Sequence, residues 1–270
     1  MILKGDFHTH SIYSDGKNTL EELVQAALAK GFSAYGFSDH AYMDDPARDW
    51  GMKKEQIENY KAEIARLKEQ YRGSIDLLCG IEQDSFCPLG VDGYDYVIGS
   101  VHAVEKNGIL CEVDDSLEKV KENLRLFADP YEYVEEYYRS VASLPRRFNF
   151  DIMGHFDLLT KWQEKEPLFD ENHPRYRAAA EEALKALIPT GVLFEVNVGA
   201  ISRGVRTTPY PNPALLHSIY ERGGDVIIGG DCHNAANLGL GFDSALALIK
   251  SCGFERVVSL SSKGKEFITI

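Results

Sequence analysis

Short apolar runs rich in β-branched and aromatic residues alternate along the chain with longer stretches in which apolar residues recur every three or four positions. The short runs are typical of strands buried on both faces, and the longer stretches are typical of amphipathic helices. The predicted strands are 2–8, 34–38, 75–82, 94–102, 150–155, 192–197 and 225–231, and the predicted helices are 19–31, 52–71, 129–144, 175–191 and 212–224. Repeated β–α units indicate an α/β fold with a parallel sheet, and seven of them favour a closed barrel.

The first predicted helix carries sequence signals at both ends. Thr19 followed by Glu22 is a capping-box sequence, and Gly31 supplies the stop. The stretch from about 104 to 128 is polar and acidic, and we interpret it as an insertion between the fourth strand and its helix. No repeat, low-complexity tract or linker divides the chain, so we expect one catalytic domain over residues 1–270.

Residue types that bind metals follow most of the predicted strands. His8 and His10 lie two positions apart at the end of the first strand, so both imidazoles should point the same way. The further candidates at strand ends are His40, Glu82, His102, His155, Asp231 and His233. The C-terminal ends of the strands form the active-site face of barrels of this kind. The pattern therefore predicts a metal site there, whereas His173 and His217 lack this placement and are interpreted as structural or solvent-exposed.

Composition excludes several other classes of function. A net charge of −13 disfavours nucleic acid as the main partner, because binding to a phosphate backbone requires basic patches. No run of about 18 apolar residues and no signal peptide are present, so we expect neither a membrane span nor export. The five cysteines are odd in number and form no Cys-x-x-Cys motif, which is typical of reduced thiols in a cytoplasmic protein.

Six motifs, taken in chain order, resemble those of the PHP (polymerase and histidinol phosphatase) domain family. They are FHTHSIYSDG, GFSDH, the third-strand Glu82, GSVHAV, GHFDLL and GGDCH, and they span about residues 5 to 235. Their spacing looks most like that of the family's monofunctional histidinol-phosphate phosphatases. The resemblance implies a distorted (β/α)7 barrel that hydrolyses L-histidinol phosphate to L-histidinol and phosphate in histidine biosynthesis. It also implies three divalent metal ions (Zn, Fe or Mn) and a metal-bridged hydroxide as nucleophile.

The resemblance further implies nine metal ligands. The first ion would be held by His8, His10, Glu82 and Asp231, the second by Glu82, His102 and His155, and the third by Asp15, His40 and His233. Glu82, Asp231 and His233 form the catalytic set. Many family members have histidine where this chain has Asp15, and an aspartate is an acceptable oxygen ligand. Three divalent ions would outweigh the three ligand carboxylates, so an acidic protein can still hold a phosphate dianion locally.

A positive side chain is expected to bind the phosphate. Arg203 and Arg206 follow the sixth predicted strand, and the planar guanidinium matches phosphate oxygens. Arg203 is the first choice, because the family places an arginine after this strand, and Arg206 is the alternative. Asn197 is predicted to orient substrate or a ligand, and Asp157 is expected to support a ligand.

Three other functions are compatible with these residues. A phosphatase of the same fold could act on a nucleotide or a sugar phosphate, and a related metal-dependent hydrolase could act on a carbon–nitrogen bond. A binding protein with a structural metal is the third. In a structural zinc site, four protein ligands usually fill the coordination sphere of the ion. The nine candidate ligands here would serve several ions and leave coordination positions open.

Overall fold

A computed structural model describes residues 3–45 and 48–270, so Ile2 of the first predicted strand lies outside the described residues. The strands are β1 (Gly5–Asp6), β2 (Ala34–Phe37), β3 (Asp76–Asp84), β4 (Tyr96–Ser100), β5 (Ala103–Lys106), β6 (Ile109–Glu112), β7 (Ile152–Met153), β8 (Leu193–Asn197), β9 (Val226–Gly229), β10 (Arg256–Ser261) and β11 (Gly264–Thr269). The α-helices are α1 (Leu20–Ala29), α2 (Ile57–Gln70), α3 (Leu117–Leu124), α4 (Pro130–Ser143), α5 (Pro174–Leu187), α6 (Gly199–Ser202), α7 (Pro213–Glu221) and α8 (Phe242–Ser251).

Seven parallel strands form a distorted barrel, in the order β1-β2-β3-β4-β7-β8-β9. The first and last of them meet beyond their C-terminal ends, where Thr9 forms a parallel bridge with Cys232. There the backbone N–H of His10 donates to the Cys232 carbonyl oxygen over 2.9 Å. On the edge that does not pair with β8, β9 also pairs with β10. The antiparallel β10–β11 hairpin extends the sheet from there. The distorted (β/α)7 barrel expected from the sequence is confirmed.

Inward-facing positions change from apolar to ionisable along the strands. On β3, Leu78 belongs to an apolar cluster at the base of the barrel, and Gly80 leaves room for the ring of Tyr96, which a Cβ would approach to 2.3 Å. Glu82 and Asp84 continue the same face because strand side chains alternate. The other members of the apolar base are Phe7, Ala34, Ile98, Ile152, Leu193, Ile227, Val258 and Leu260. The base is thus a hydrophobic plug that supports an ionisable mouth.

The five predicted helices are present as α1, α2, α4, α5 and α7. Thr19 and Glu22 form the expected capping box at the start of α1, and Gly31 adopts a φ of 77°. Within the described residues, no helix combines the length and the apolar composition that a membrane crossing requires.

Two regions differ from the prediction. The segment interpreted as an insertion contains the β5–β6 hairpin and α3. Asn107 and Gly108 form its turn with φ values of 53° and 77°, the left-handed backbone that a two-residue Asn-Gly hairpin requires. The C-terminal α8, β10 and β11 are not among the predicted elements. β11 is largely exposed and lacks a sustained apolar run, whereas α8 buries Phe242, Ala245, Leu246 and Ile249 at helical spacing, a signal that the prediction left out.

Candidate metal centre and active site

Glu82 lies at the centre of a cluster of imidazoles. Its Oε2 is 2.7 Å from His40 Nδ1 and 3.4 Å from His8 Nε2. Its Oε1 is 3.1 Å from His155 Nε2 and 3.4 Å from His102 Nε2. The end of β3 carries this carboxylate into the mouth of the barrel, where it is 1% exposed. Four histidines that follow four different strands therefore surround one buried carboxylate.

His10 and Asp231 extend this cluster. His10 Nε2 is 3.4 Å from Asp231 Oδ1 and 3.7 Å from Glu82 Oε2. Asp231 has a φ of 47°, a left-handed conformation that is uncommon outside glycine and concentrates at functional sites. The residues at the bottom of the mouth, called the deep group below, are His8, His10, Glu82, His102, His155 and Asp231.

The remaining predicted ligands, Asp15, His40 and His233, form an outer group nearer the solvent. Asp15 Oδ2 is 3.2 Å from His233 Nε2, and its Oδ1 is 3.7 Å from His40 Nε2. The side chains of Asp15 and His233 are 36% and 21% exposed. One ligand atom from each of these three residues and one from His10 all lie within 4.8 Å of one another. The structure thus brings His10 to the outer group as well.

The donor atoms fit divalent metal ions. Among the described residues, His8 Nε2 and His10 Nε2 are buried and have no hydrogen-bond partner, and they face the carboxylates of Glu82 and Asp231. Buried polar atoms are normally paired, so unpaired imidazole nitrogens and carboxylate oxygens that face one another indicate a metal centre. His8, His10 and Glu82 form a second compact set, and His40, Glu82 and His102 form a third. Such mixed nitrogen and oxygen donors suit zinc, iron or manganese.

Burial and charge oppose each other in this cluster. Burial would raise the pKa of Glu82, but the neighbouring His8 and His40 hold it well below its usual range. Burial also opposes ionisation of Asp231, and the Arg203 guanidinium is the strongest of the charges that keep the pKa of Asp231 low. Burial lowers the pKa of His10 to about 3, helped by the adjacent His233 and His40. The carboxylates are therefore ionised and His10 offers lone pairs at neutral pH.

Three supporting residues, which the sequence analysis missed, hold the ligands in place. Asp84 Oδ2 is 3.1 Å from His102 Nδ1, and Ser100 Oγ donates to Glu82 Oε1 over 2.7 Å. Glu195 Oε1 is 2.6 Å from His8 Nδ1. Strand alternation was the available signal: Asp84 lies two positions after Glu82, and Ser100 lies two positions before His102.

A buried aspartate, Asp39 of the GFSDH motif, shapes the loop that carries Asp15. Its Oδ1 accepts from the backbone N–H of Ser11 over 2.7 Å and from Ser14 Oγ over 2.6 Å. Gly16 is required for close packing, because a Cβ would lie 2.2 Å from the His10 carbonyl oxygen. The loop therefore folds back over the mouth of the barrel and brings Asp15 to the outer group.

The two candidate arginines have different surroundings. Arg203 lines the cavity and donates from Nη2 to Asp231 Oδ2 and from Nη1 to the Asp231 carbonyl, both over 3.0 Å. Arg206 is 6% exposed and donates to Thr160 Oγ1 and Thr208 Oγ1 over 2.9 and 3.1 Å. Of the two candidates, the structure brings Arg203 and not Arg206 to the cavity wall.

Asn197 and Asp157 are fully buried, and neither of them lines the cavity. Asn197 Nδ2 donates to Glu195 Oε2 over 2.9 Å and lies 3.4 Å from Asp231 Oδ2. Asp157 Oδ2 accepts from the backbone N–H of Asn212 over 2.8 Å. Burial raises the pKa of Asp157 to about 7. Asn197 thus supports a predicted ligand, whereas Asp157 anchors the chain before α7.

The other two histidines do not line the cavity. His173 caps α5 and accepts from the Arg175 backbone N–H over 3.2 Å. His217 lies on α7 and is 55% exposed. His173 thus has a structural role and His217 is solvent-exposed, the two alternatives given for these residues.

The outer group opens into a cavity of about 270 Å³. Three acidic residues from the end of β6 and the segment after it line another part of the cavity, namely Glu112, Asp114 and Asp115. Lys161 lies 3.5 Å from Asp114 Oδ2, and the Trp50 ring centre is 4.6 Å from that of His40. The cavity is lined by Asp15, His40, Trp50, His102, Glu112, Asp114, Asp115, His155, Leu158, Lys161, Arg203, Asp231 and His233. Sequence patterns gave no signal for Trp50 or Lys161, and they marked the three acids only as part of the polar, acidic stretch from about 104 to 128.

A cluster of imidazoles and carboxylates at the C-terminal mouth of a seven-stranded barrel defines a metal-dependent hydrolase. The family model described as PHP domain matches residues 6–199, and the chain belongs to this family.

Relatives of known name match nearly the whole chain. A Deinococcus radiodurans protein named "Probable histidinol-phosphatase" is 32% identical over 92% of this chain and 93% of its own length. The histidinol-phosphatase of Bacillus subtilis is 26% identical over 90% of this chain and 97% of its own. The crystal structure of histidinol phosphate phosphatase from Lactococcus lactis, complexed with zinc, L-histidinol and phosphate, is 25% identical. It superimposes with a TM-score of 0.74 over 97% of this chain and 98% of that one.

Proposed function

We propose that this protein is a metal-dependent phosphomonoesterase that hydrolyses L-histidinol phosphate to L-histidinol and phosphate. The observation that carries the proposal is the meeting of nine ligand-type side chains, which follow six strands, beside one cavity with a guanidinium on its wall. The named relatives support the same substrate, since the Lactococcus lactis enzyme was solved with both products of this reaction. We further propose that residues 1–270 form a single catalytic domain that works in the cytoplasm.

The deep and outer groups would together hold three divalent ions, for which zinc, iron and manganese are the candidates. Divalent ions at these ligands would lower the pKa of water towards 7 and neutralise charge on phosphate oxygens. Glu82 contacts both groups, so its position suits the bridging role predicted from the sequence. Asp231 of the deep group and His233 of the outer group both line the cavity, which suits their predicted catalytic role.

Arg203 is positioned to bind the phosphate from the side of the cavity. Its guanidinium donates hydrogen bonds to Asp231, yet the side chain remains about one-third exposed and lines the cavity. Guanidinium groups offer five N–H donors, so the contacts with Asp231 leave others for a phosphate. The same contacts with Asp231 give Arg203 a second role in supporting a metal ligand.

The charges of the cavity match the two ends of histidinol phosphate. The metal ligands and Arg203 suit the phosphate, whereas the exposed Asp115 suits a cationic leaving group with an amine and an imidazole. Glu112 is already paired with Arg48 over 3.4 Å. Burial would raise the pKa of Asp114, but the Lys161 ammonium lowers it below its usual range, so this carboxylate is ionised. A nucleotide or a sugar phosphate has no cationic group to meet this acidic wall.

Release of phosphate from a panel of phosphomonoesters by zinc-reconstituted protein tests the substrate. We expect kcat/KM for histidinol phosphate to exceed that for nucleoside monophosphates and sugar phosphates by at least about 100-fold, because a site built for polar groups discriminates strongly against substrates that lack them. A preference for a nucleotide would overturn the substrate while leaving the phosphatase chemistry in place. Hydrolysis of amides but not of phosphate esters would overturn the proposal itself.

A further inference from the structure

A carboxylate outside the predicted ligand set, Glu195, joins several of the ligands from beneath. It lies on β8, is 1% exposed, and faces the interior of the barrel mouth. Its Oε1 is 2.6 Å from His8 Nδ1. Its Oε2 accepts from the backbone N–H of His155 and from Asn197 Nδ2, each over 2.9 Å. One buried carboxylate thus receives three donors from three strand ends.

The contact with His8 decides which ring nitrogen faces the metal centre. A carboxylate at Nδ1 keeps a proton on that nitrogen, so in the neutral, metal-binding form of the ring the lone pair stands on Nε2. His8 Nε2 has no hydrogen-bond partner among the described residues and lies 3.4 Å from Glu82 Oε2. The ring therefore presents its free lone pair to the deep group.

The other two contacts carry the effect of Glu195 to two further ligands. The bond to the backbone N–H of His155 fixes the chain just after β7. The side chain of His155 then places its Nε2 3.1 Å from Glu82 Oε1. Asn197, held by Glu195, reaches Asp231 Oδ2 at 3.4 Å. No lysine or arginine within the described part of the chain forms an ion pair with Glu195, so its contacts go to ligands and their supports.

Gly229 makes this arrangement possible. It pairs with Asn197 in the sheet, and a Cβ at this position would lie 1.7 Å from Glu195 Oε1. Any side chain at position 229 would push the carboxylate away from His8. The first glycine of the GGD motif thus leaves space for Glu195.

We propose that Glu195 is a positioning residue that fixes the Nδ1-protonated form of His8 and, with Gly229, sets the affinity of the deep group for its ions. This inference rests on the proposed metal centre. It is tested without substrate, so its failure would leave the phosphatase assignment intact, and failure of the substrate assignment would leave Glu195 in this role.

The test is the zinc affinity of the metal-free protein, titrated in competition with a chromophoric chelator. Glu195→Gln is nearly isosteric, but both oxygens of Glu195 face donors. The amide NH2 group of glutamine would therefore face a donor, either His8 Nδ1–H or the N–H groups of His155 and Asn197. We expect the tightest zinc site to weaken by about 10- to 100-fold, which is typical when a partner of a metal-binding histidine is lost. Gly229→Ala should have a similar effect, because it displaces the same carboxylate.

Two variants serve as matched controls. Asp157→Asn alters another fully buried carboxylate that accepts a backbone N–H, and Gly99→Ala, on β4, adds a Cβ against the ring of Phe150, which precedes β7. Both should keep wild-type zinc affinity. Wild-type affinity in Glu195→Gln, or equal losses in the test and control variants, would overturn the proposal.

A spectroscopic measurement separates positioning from general damage to the fold. Long-range proton–nitrogen correlation spectra of the zinc-loaded protein should show His8 protonated at Nδ1 and bound through Nε2. Glu195→Gln should change this pattern for His8 while leaving the rings of His173 and His217 unchanged. An unchanged His8 pattern in that variant would contradict the proposed role.

Discussion

The deep and outer groups of the metal centre are held by different parts of the fold. His8, His10 and Glu82 are at most 1% exposed, and their positions are set by strand ends inside the barrel. Asp15 and His233 are 36% and 21% exposed and lie on loops. The deep group also has supporting contacts from Asp84, Ser100 and Glu195, as described above.

The deep group is therefore a binding site that the fold organises before any ion binds, whereas the outer group is a site that depends on the order of its loops. Buried ligands with supporting partners lose little freedom when an ion binds, because their rings are already oriented. Ligands on exposed loops must be ordered by the ion or by contacts such as those of Asp39 with Ser11 and Ser14. We therefore expect tight binding in the deep group and weaker, exchangeable binding in the outer group.

Loss of Glu82 should have the largest effect, because its carboxylate contacts histidines of both groups. Glu82→Gln removes the negative charge that faces His8, His40, His102 and His155. We expect kcat/KM to fall by about 1,000-fold or more, equivalent to several kcal/mol of metal-derived stabilisation. Metal content by elemental analysis should fall in parallel. An exposed control, Glu266→Gln on β11, should match the wild type, and high activity in Glu82→Gln would contradict the shared-carboxylate arrangement.

Arg203 should have the next largest effect. Losing a charge-assisted bond to a bound phosphate costs about 1.5–3 kcal/mol, so Arg203→Ala should lower kcat/KM by about 10- to 150-fold. Inorganic phosphate should weaken as a competitive inhibitor. Because Arg203 also contacts Asp231, we expect some loss of metal affinity too.

Arg206 provides the matched comparison for Arg203. Its guanidinium is buried against Thr160 and Thr208, so Arg206→Ala should lower the thermal unfolding midpoint and leave the inhibition constant of phosphate unchanged. Reversed behaviour of the two variants would mean that Arg206 binds the phosphate.

Asp15 tests the outer group by itself. Asp15→Asn removes one negative charge from a partly exposed site and leaves the deep ligands intact. We expect about a tenfold fall in kcat/KM, the equivalent of about 1.4 kcal/mol, with partial recovery in excess zinc. Elemental analysis should still find about two ions. If Asp15 only shapes its turn, asparagine is an equally good turn former and the variant should keep full activity and full metal content.

The acidic wall should give the smallest effect, and one that depends on the substrate. Asp115 is exposed, and contacts between exposed charges contribute about 0.2–1 kcal/mol. Asp115→Asn should therefore raise KM for histidinol phosphate by at most about fivefold and leave KM for phenyl phosphate, whose leaving group is uncharged, unaltered. An equal change for both substrates would contradict a role in binding the cationic end.

Much of the barrel and of the deep group could be predicted from the sequence, since strand alternation and strand-end histidines are local signals. The β5–β6 hairpin was also readable, because Asn107 and Gly108 form a strong turn signal between two short apolar runs. The choice between Arg203 and Arg206 could not be predicted from the sequence, because it depends on how the short helix α6 turns after β8. The acidic wall depends on where a connecting segment packs, which no local pattern specifies.

The most direct test of a centre with several ions is a stepwise zinc titration of the metal-free protein, with hydrolysis of histidinol phosphate followed at each step. Filling the deep group first predicts little activity at one equivalent, a rise as the second ion binds, and full activity only when the weaker outer site is occupied. The active protein should then contain more than one equivalent of metal, and chelation should abolish turnover. Full activity at one equivalent or less, or turnover that survives chelation, would contradict the account.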